Sequence, residues 1–135
     1  MNVNIPYVVA EVAVAHAAYE KALADNDIFQ INALTWTDPQ AVHYRLEDMH
    51  QRARQSRKLN ASLHPFSNGK TAATTTITTF EHDHATVNTE FPELYGRRTV
   101  VWARIGPDAQ PEAGLHGGWR VVASHESVMY SRRSF

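Results

Sequence analysis

The sequence has no cysteine, which excludes disulfides, thiolate catalysis and thiolate-ligated metals and removes any need for an oxidising compartment. It has no excess of charge of either sign: 13 Lys and Arg against 14 Asp and Glu leave a net charge of −1. A chain so balanced carries neither the basic footprint of a nucleic-acid binder nor an acidic tail. It also lacks a long apolar run. The Ala/Val-rich stretch near the N-terminus is interrupted by Glu11 and His16, so neither a signal peptide nor a membrane span is expected, and the expected location is the cytoplasm. There is no internal repeat, no low-complexity tract and no Gly-x-Ser-x-Gly nucleophile elbow.

What is present has the composition of an ordinary globular domain: 135 residues, 43% hydrophobic and 20% charged. That is enough chain for one core and too little for two ordinary domains, so a single domain over residues 1–135 is expected. From Pro6 to Ala24 apolar residues recur at helical spacing, with Ile5, Val9, Val12, His16, Tyr19 and Leu23 along one face. Pro6 suits a first turn and alanine suits a helix interior. Asp25, Asn26 and Asp27 offer caps for a short second helix carrying Ile28, Phe29, Ile31 and Leu34, which Asp38-Pro39 ends. Gln40 to Leu46 reads as a short strand, with Val42 and Tyr44 on one side and Ala41, His43 and Arg45 on the other. Glu47 to Leu59 reads as a third, mostly polar helix, and Asn60 to Gly69 as a loop.

Strands fill the remainder. Lys70 to His82 is dense in threonine, Ala85 to Phe91 alternates, Arg97 to Ile105 contains Thr-Val-Val-Trp, and Trp119 to Tyr130 is Val-rich. Pro92 to Gly96 supplies one turn, and Gly106 to Gly118, with two prolines and four glycines, a long loop. Helices first and four successive strands afterwards predict an α+β domain, its helices packed on one face of an antiparallel meander. Pairing across the Pro92–Gly96 turn is expected to set Glu90 near Thr99 and Asn88 near Val101 on one face, with Phe91, Val87, Val100 and Trp102 on the other. Apolar residues on both faces call for cover on both, and a second subunit is the simplest cover for the outer one, so a homodimer is expected.

Several polar side chains fall where chemistry is possible. His16 and Tyr19 lie one turn apart on the apolar face of the first helix; they either line a pocket or simply pack, each with a hydrogen bond. His43, on the short strand, is a candidate general acid or base, or a structural imidazole. His125 and Ser127 alternate with Trp119, Val121 and Ala123, so they are expected to face the interior if Trp119 does. Glu90 is a candidate acid whose alternative is an ion pair with Arg97 or Arg98 across the turn. His82 and His84 share the apparent strand face of Glu81-His-Asp-His but lack a third ligand and read equally as a turn, so no metal is expected. Arg45, Arg52, Arg54, Arg57 and Lys58 either draw a carboxylate toward a pocket mouth or form a solvated helix face.

Three stretches carry a resemblance: Tyr19-Glu20-Lys21-Ala22-Leu23 with Trp36-Thr-Asp-Pro39, Ile77-Thr-Thr-Phe80 through Thr86-Val-Asn-Thr-Glu-Phe91, and Gly118-Trp-Arg-Val-Val-Ala-Ser-His-Glu-Ser127. They resemble the SnoaL-like branch of the nuclear-transport-factor-2 superfamily, and most closely the AtzH-like proteins associated with oxalurate and cyanuric-acid catabolism. The resemblance implies a homodimer of cones, each a strongly curved, mostly antiparallel sheet around N-terminal helices. It further implies a pocket between helices and sheet and, in some relatives, metal-free hydrolysis of a small carboxylated urea or amide. Tyr19 matches a pocket tyrosine of those relatives, which usually carry arginine where this chain has His43 and glycine where it has Arg45. By a looser resemblance to ketosteroid isomerase, His43 falls close to that enzyme's general base.

Two functions are therefore expected of such a chain: a cofactor-free hydrolase or acid–base lyase or isomerase acting on a small polar or carboxylated metabolite, or a catalytically silent ligand-binding protein of the same fold. The candidate catalytic residues are His43, Tyr19, His125 and Glu90. The candidate ligand-binding residues are His16, Trp36, Arg45, Asn88 and Ser127.

Overall fold

The computed structural model describes residues 1–46, 73–92, 95–105 and 115–128. The third helix expected over Glu47–Leu59, the loop to Gly69 and most of the Gly106–Gly118 loop lie outside them. Helix α1 runs Pro6–Asp25 with Pro6 in its first turn, and Asn26, in the left-handed region at φ 53°, closes it. Its buried face is Val8, Val12, Ala15, His16, Tyr19, Ala22 and Leu23, so Val8 rather than Val9 opens the stripe. Helix α2, Ile28–Ala33, is capped by the Asp27 side chain, which accepts the Gln30 N–H at 3.2 Å. The chain then turns at Asp38, whose carboxylate accepts the Gln40 N–H at 2.8 Å. No helix among the described residues is long and apolar enough to cross a membrane.

Strands β1 (Val42–Tyr44), β2 (Thr74–Phe80), β3 (His84–Phe91), β4 (Gly96–Arg104) and β5 (Trp119–Val128) form one sheet in the order β1-β5-β4-β3-β2. The last four make the expected antiparallel meander, while β1 joins the far edge parallel to β5. The core packs Val8, Val12, Ala15, Tyr19 and Leu23 of α1 against Val87, Val100, Trp102, Trp119 and Val121 of the sheet. Each buried valine or leucine among them contributes roughly 1.5–3 kcal/mol. The Thr35 region is stitched to β5 by two main-chain bonds, Val121 N–H to Leu34 O at 2.8 Å and Trp36 N–H to Val121 O at 2.9 Å.

Two registers differ from expectation. Strand β4 begins at Gly96, opposite Phe91, so Glu90 faces Arg97 and Asn88 faces Thr99. The shift is of two residues, and an even shift keeps every side chain on its face; Phe91, Val87, Val100 and Trp102 are buried as expected. The second difference changes faces. Opposite Val101 and Trp102 stand Ala123 and Val121, which leaves Val122 as the extra residue of a β-bulge. Before it Trp119 and Val121 point inward; beyond it the inward pair is Ser124 and Glu126, while His125 is exposed and Ser127 partly exposed. The expectation that His125 and Ser127 share the face of Trp119 is thus corrected. The Glu81–Asp83 segment is a turn that holds His82, so His82 and His84 do not share a strand face.

The bulge makes a sharp prediction for β5. Deleting Val122 restores unbroken alternation and drives Glu126 out and His125 in, so cooperative unfolding in denaturant should be lost. Val122→Ala keeps the spacing and should cost about 1 kcal/mol or less.

Candidate functional site

The inward face beyond the bulge is where charge is buried. Arg98 and Glu126 are direct cross-strand partners on β4 and β5, and Arg98 Nε donates to Glu126 Oε2 at 3.0 Å. Both side chains are only 2% exposed. The same guanidinium reaches α1, where its Nη1 meets both oxygens of Glu20 at 2.7 Å. Glu126 Oε1 accepts the Leu46 N–H at 3.1 Å, just beyond β1. One arginine thereby ties the long helix to two strands, and one glutamate holds the chain segment leaving the third. Buried charges persist when they are paired and hydrogen-bonded in this way.

His16 extends the network. Trp102 Nε1, which can only donate, gives its proton to His16 Nδ1 at 3.2 Å, so His16 carries its own proton on Nε2 and donates it to Glu20 Oε1 at 3.0 Å. Burial opposes ionisation of Glu20, but the His16 hydrogen bond and the Arg98 cation outweigh it and hold the carboxyl at about 2. Both ring nitrogens of His16 are therefore engaged within the core.

Beside this network lies a second set. Tyr19 is 2% exposed, with its ring edge-on to Trp102 at 5.7 Å, and its phenol oxygen is hydrogen-bonded by Arg45. Burial pushes the phenol pKa up, against the pull of the Arg45 and Arg98 cations, so Tyr19 stays a neutral O–H group. His43, on β1, is the register partner of Ser124, and its Nδ1 lies 2.7 Å from Ser124 Oγ. Its Nε2 is buried and has no hydrogen-bond partner among the described residues. Burial first, and Arg45 second, lower the His43 pKa below the usual histidine range. An unpaired buried polar atom costs about 1–3 kcal/mol, so a group that completes it is stabilised there.

The structure brings Tyr19 and Arg45 together and ties His43 to the same inner surface through Ser124. His16 packs beside Tyr19, their ring centroids 6.4 Å apart, but the other candidates are not brought to them. Glu90 and Asn88 are exposed on the opposite face, where Asn88 accepts from Thr99 Oγ1 at 2.7 Å. His125 shares that outer face and meets Tyr44 edge-on at 5.8 Å, and Ser127 stands opposite Arg97. Trp36 is half-buried beyond α2, bonded through its main chain to β5. Two open depressions, one of about 250 Å³ lined by Glu11, Val14, His116 and Gly117 and one of about 180 Å³ beside Glu90 and Arg97, include none of Tyr19, His43 or Arg45. Sequence reasoning missed Glu20, Arg98, Ser124 and Glu126. Arg98 was within reach, because strand alternation puts it on the face of Val100 and Trp102; Ser124 and Glu126 were hidden by the bulge.

Residues 1–132 match a family model described as AtzH-like. No curated protein matches the chain. Among solved structures, the chain is 33% identical to a cystatin-like fold protein from Burkholderia xenovorans, over 97% of this chain and 98% of that one, with a TM-score of 0.68. It is 32% identical to a protein of unknown function from the DUF3225 family of Pectobacterium atrosepticum, over 95% of both chains, with a TM-score of 0.66. These neighbours bear out the expected α+β cone.

A carboxyl held at about 2 stabilises the fold only while it is ionised. Its contribution is complete above the unfolded value of 4.5 and is lost as pH falls from there toward 2. Denaturant midpoints measured across that window should fall with pH, and Glu20→Gln should flatten the fall while lowering stability at neutral pH. An unchanged slope in the variant would show that Glu20 is not the group responsible.

Proposed function

The chain belongs to the AtzH-like family, and we propose that it binds a small carboxylated urea, amide or similar polar metabolite against Tyr19, Arg45 and His43 and moves a proton on it. The observation that carries this reading is the Tyr19–Arg45 hydrogen bond beside a histidine whose buried Nε2 has no hydrogen-bond partner among the described residues. Arg45 supplies a cation for a carboxylate. Tyr19, its oxygen already accepting from Arg45, has a neutral O–H to donate. His43, kept neutral by burial and by Arg45, has the protonation state a general base needs near neutral pH. The reaction class is hydrolysis, or acid–base elimination or isomerisation.

A specific observation favours a second reading, in which the protein binds its ligand and does no chemistry. The inward carboxylates Glu20 and Glu126 are both taken up by Arg98, so neither is a ready base. Substitution separates the two. In calorimetric titration with oxalurate and related ureido- and amido-carboxylates, Arg45→Met should weaken binding about tenfold or more. His43→Ala should retain binding and abolish turnover, and Tyr19→Phe should slow it. If the unaltered protein binds these compounds and turns none of them over, the protein is a binder; if turnover survives both His43→Ala and Tyr19→Phe, the assignment of proton transfer to these residues fails.

We further propose that a second copy covers the outer sheet face. The register sets Val42, Ala123 and Val101 in one row there, with Tyr44 and His125 in the next, and Val42 and Tyr44 are exposed by 43% and 64%. Light scattering should report a dimer, and Val101→Asp should convert it to monomer with the fold retained.

A further inference from the structure

His43 and Ser124 occupy equivalent levels of adjacent parallel strands, with their side chains bonded at 2.7 Å. The bond alone allows two arrangements. Either the serine hydroxyl donates to Nδ1 and the imidazole proton sits on Nε2, or Nδ1 donates to the serine oxygen and Nε2 keeps a lone pair. What separates them is the other side of the ring. His43 Nε2 is buried and has no hydrogen-bond partner among the described residues. Among buried groups an orphaned N–H is rarer than an acceptor with an unused lone pair. The proton therefore belongs on Nδ1, where an oxygen is waiting. His16, on α1, shows the contrasting solution: a Trp102 donor on Nδ1 forces its proton onto Nε2, toward Glu20.

We propose that Ser124 is the positioning residue for His43: its Oγ accepts the Nδ1 proton and so fixes the tautomer whose Nε2 lone pair is turned to the buried side of the sheet. The proposal rests on the reading of His43 as the proton-transfer group. In the step it prepares, a substrate X–H bond breaks, its proton bonds to Nε2, and the electron pair stays on the substrate. The resulting imidazolium keeps Nδ1–H on Ser124 Oγ, and the proton later returns to the product or to water. Ser124 takes no proton itself. The serine does what a carboxylate does behind other catalytic histidines, without adding a negative charge to a site that already balances Arg98 against two glutamates.

Nitrogen-15 NMR of the imidazoles in the unliganded protein at neutral pH tests this directly, since protonated and bare ring nitrogens have widely separated shifts. The unaltered protein should show His43 protonated at Nδ1 and bare at Nε2. Ser124→Ala should move the proton to Nε2, the form free imidazole side chains prefer, while His16 stays as it is. Ser124→Thr, which keeps a hydroxyl, should restore the original pattern. An Nε2–H form in the unaltered protein, or an Nδ1–H form that survives Ser124→Ala, overturns the proposal. Should Ser124→Ala fail to fold, the unaltered protein and the threonine variant still decide it. The measurement needs no substrate, so its failure leaves ligand binding by Tyr19 and Arg45 standing. Failure of the calorimetric titrations would leave the tautomer as measured.

Discussion

The rest of the structure depends on a buried guanidinium. Arg98 sits on the inner face of β4 with 2% of its side chain exposed, between the carboxylates of Glu126 on the neighbouring strand and Glu20 on the long helix. Apolar packing is non-directional: Val8, Val12 and Leu23 would pack against the sheet at several angles. The arginine is not so permissive. Its planar fork has to meet both oxygens of Glu20 while Nε meets Glu126, and that fixes how the helix lies across the strands. Glu126 then holds the main chain at Leu46, immediately after His43 and Arg45. The position of the candidate site thus follows from this ion network.

The second constraint is one extra residue. Val122 bulges out of β5 and exchanges the faces of everything after it. Without the bulge, His125 and Ser127 line the interior and Glu126 faces out, and Arg98 has no strand partner. With it, Ser124 comes opposite His43 and Glu126 opposite Arg98. Bulges commonly re-aim side chains near functional sites, and here one residue brings the histidine its serine and the arginine its glutamate.

Much of this was legible in the sequence. Pro6, the alanine-rich interior and the apolar stripe mark α1, and the four strand-like runs with their turns mark the meander. Alternation along β3 and β4 also places Val87, Val100 and Trp102 inside whether or not the register is exact, because an even slip preserves faces. The bulge was not legible, since Val121, Val122 and Ala123 are all small and apolar and show no alternation to break. That is why His125 and Ser127 were expected inside and Ser124 and Glu126 were overlooked. Glu90 and Asn88 sit on the outer face for the same reason of parity that puts Phe91 and Val87 inside. The resemblance to AtzH-like proteins drew attention to Tyr19, His43 and Arg45 together, and the geometry adds that Arg45 is the residue bonded to Tyr19.

The central claim is that the Glu20–Arg98–Glu126 network, rather than apolar burial alone, holds helix to sheet. Chemical denaturation of Arg98→Met at neutral pH tests it most directly, because methionine keeps much of the apolar volume and leaves two inward carboxylates without their cation. The account predicts a loss of about 3–5 kcal/mol, the usual cost of breaking a buried pair by removing one partner. A loss below about 1 kcal/mol, the range of an exposed ion pair, would contradict it.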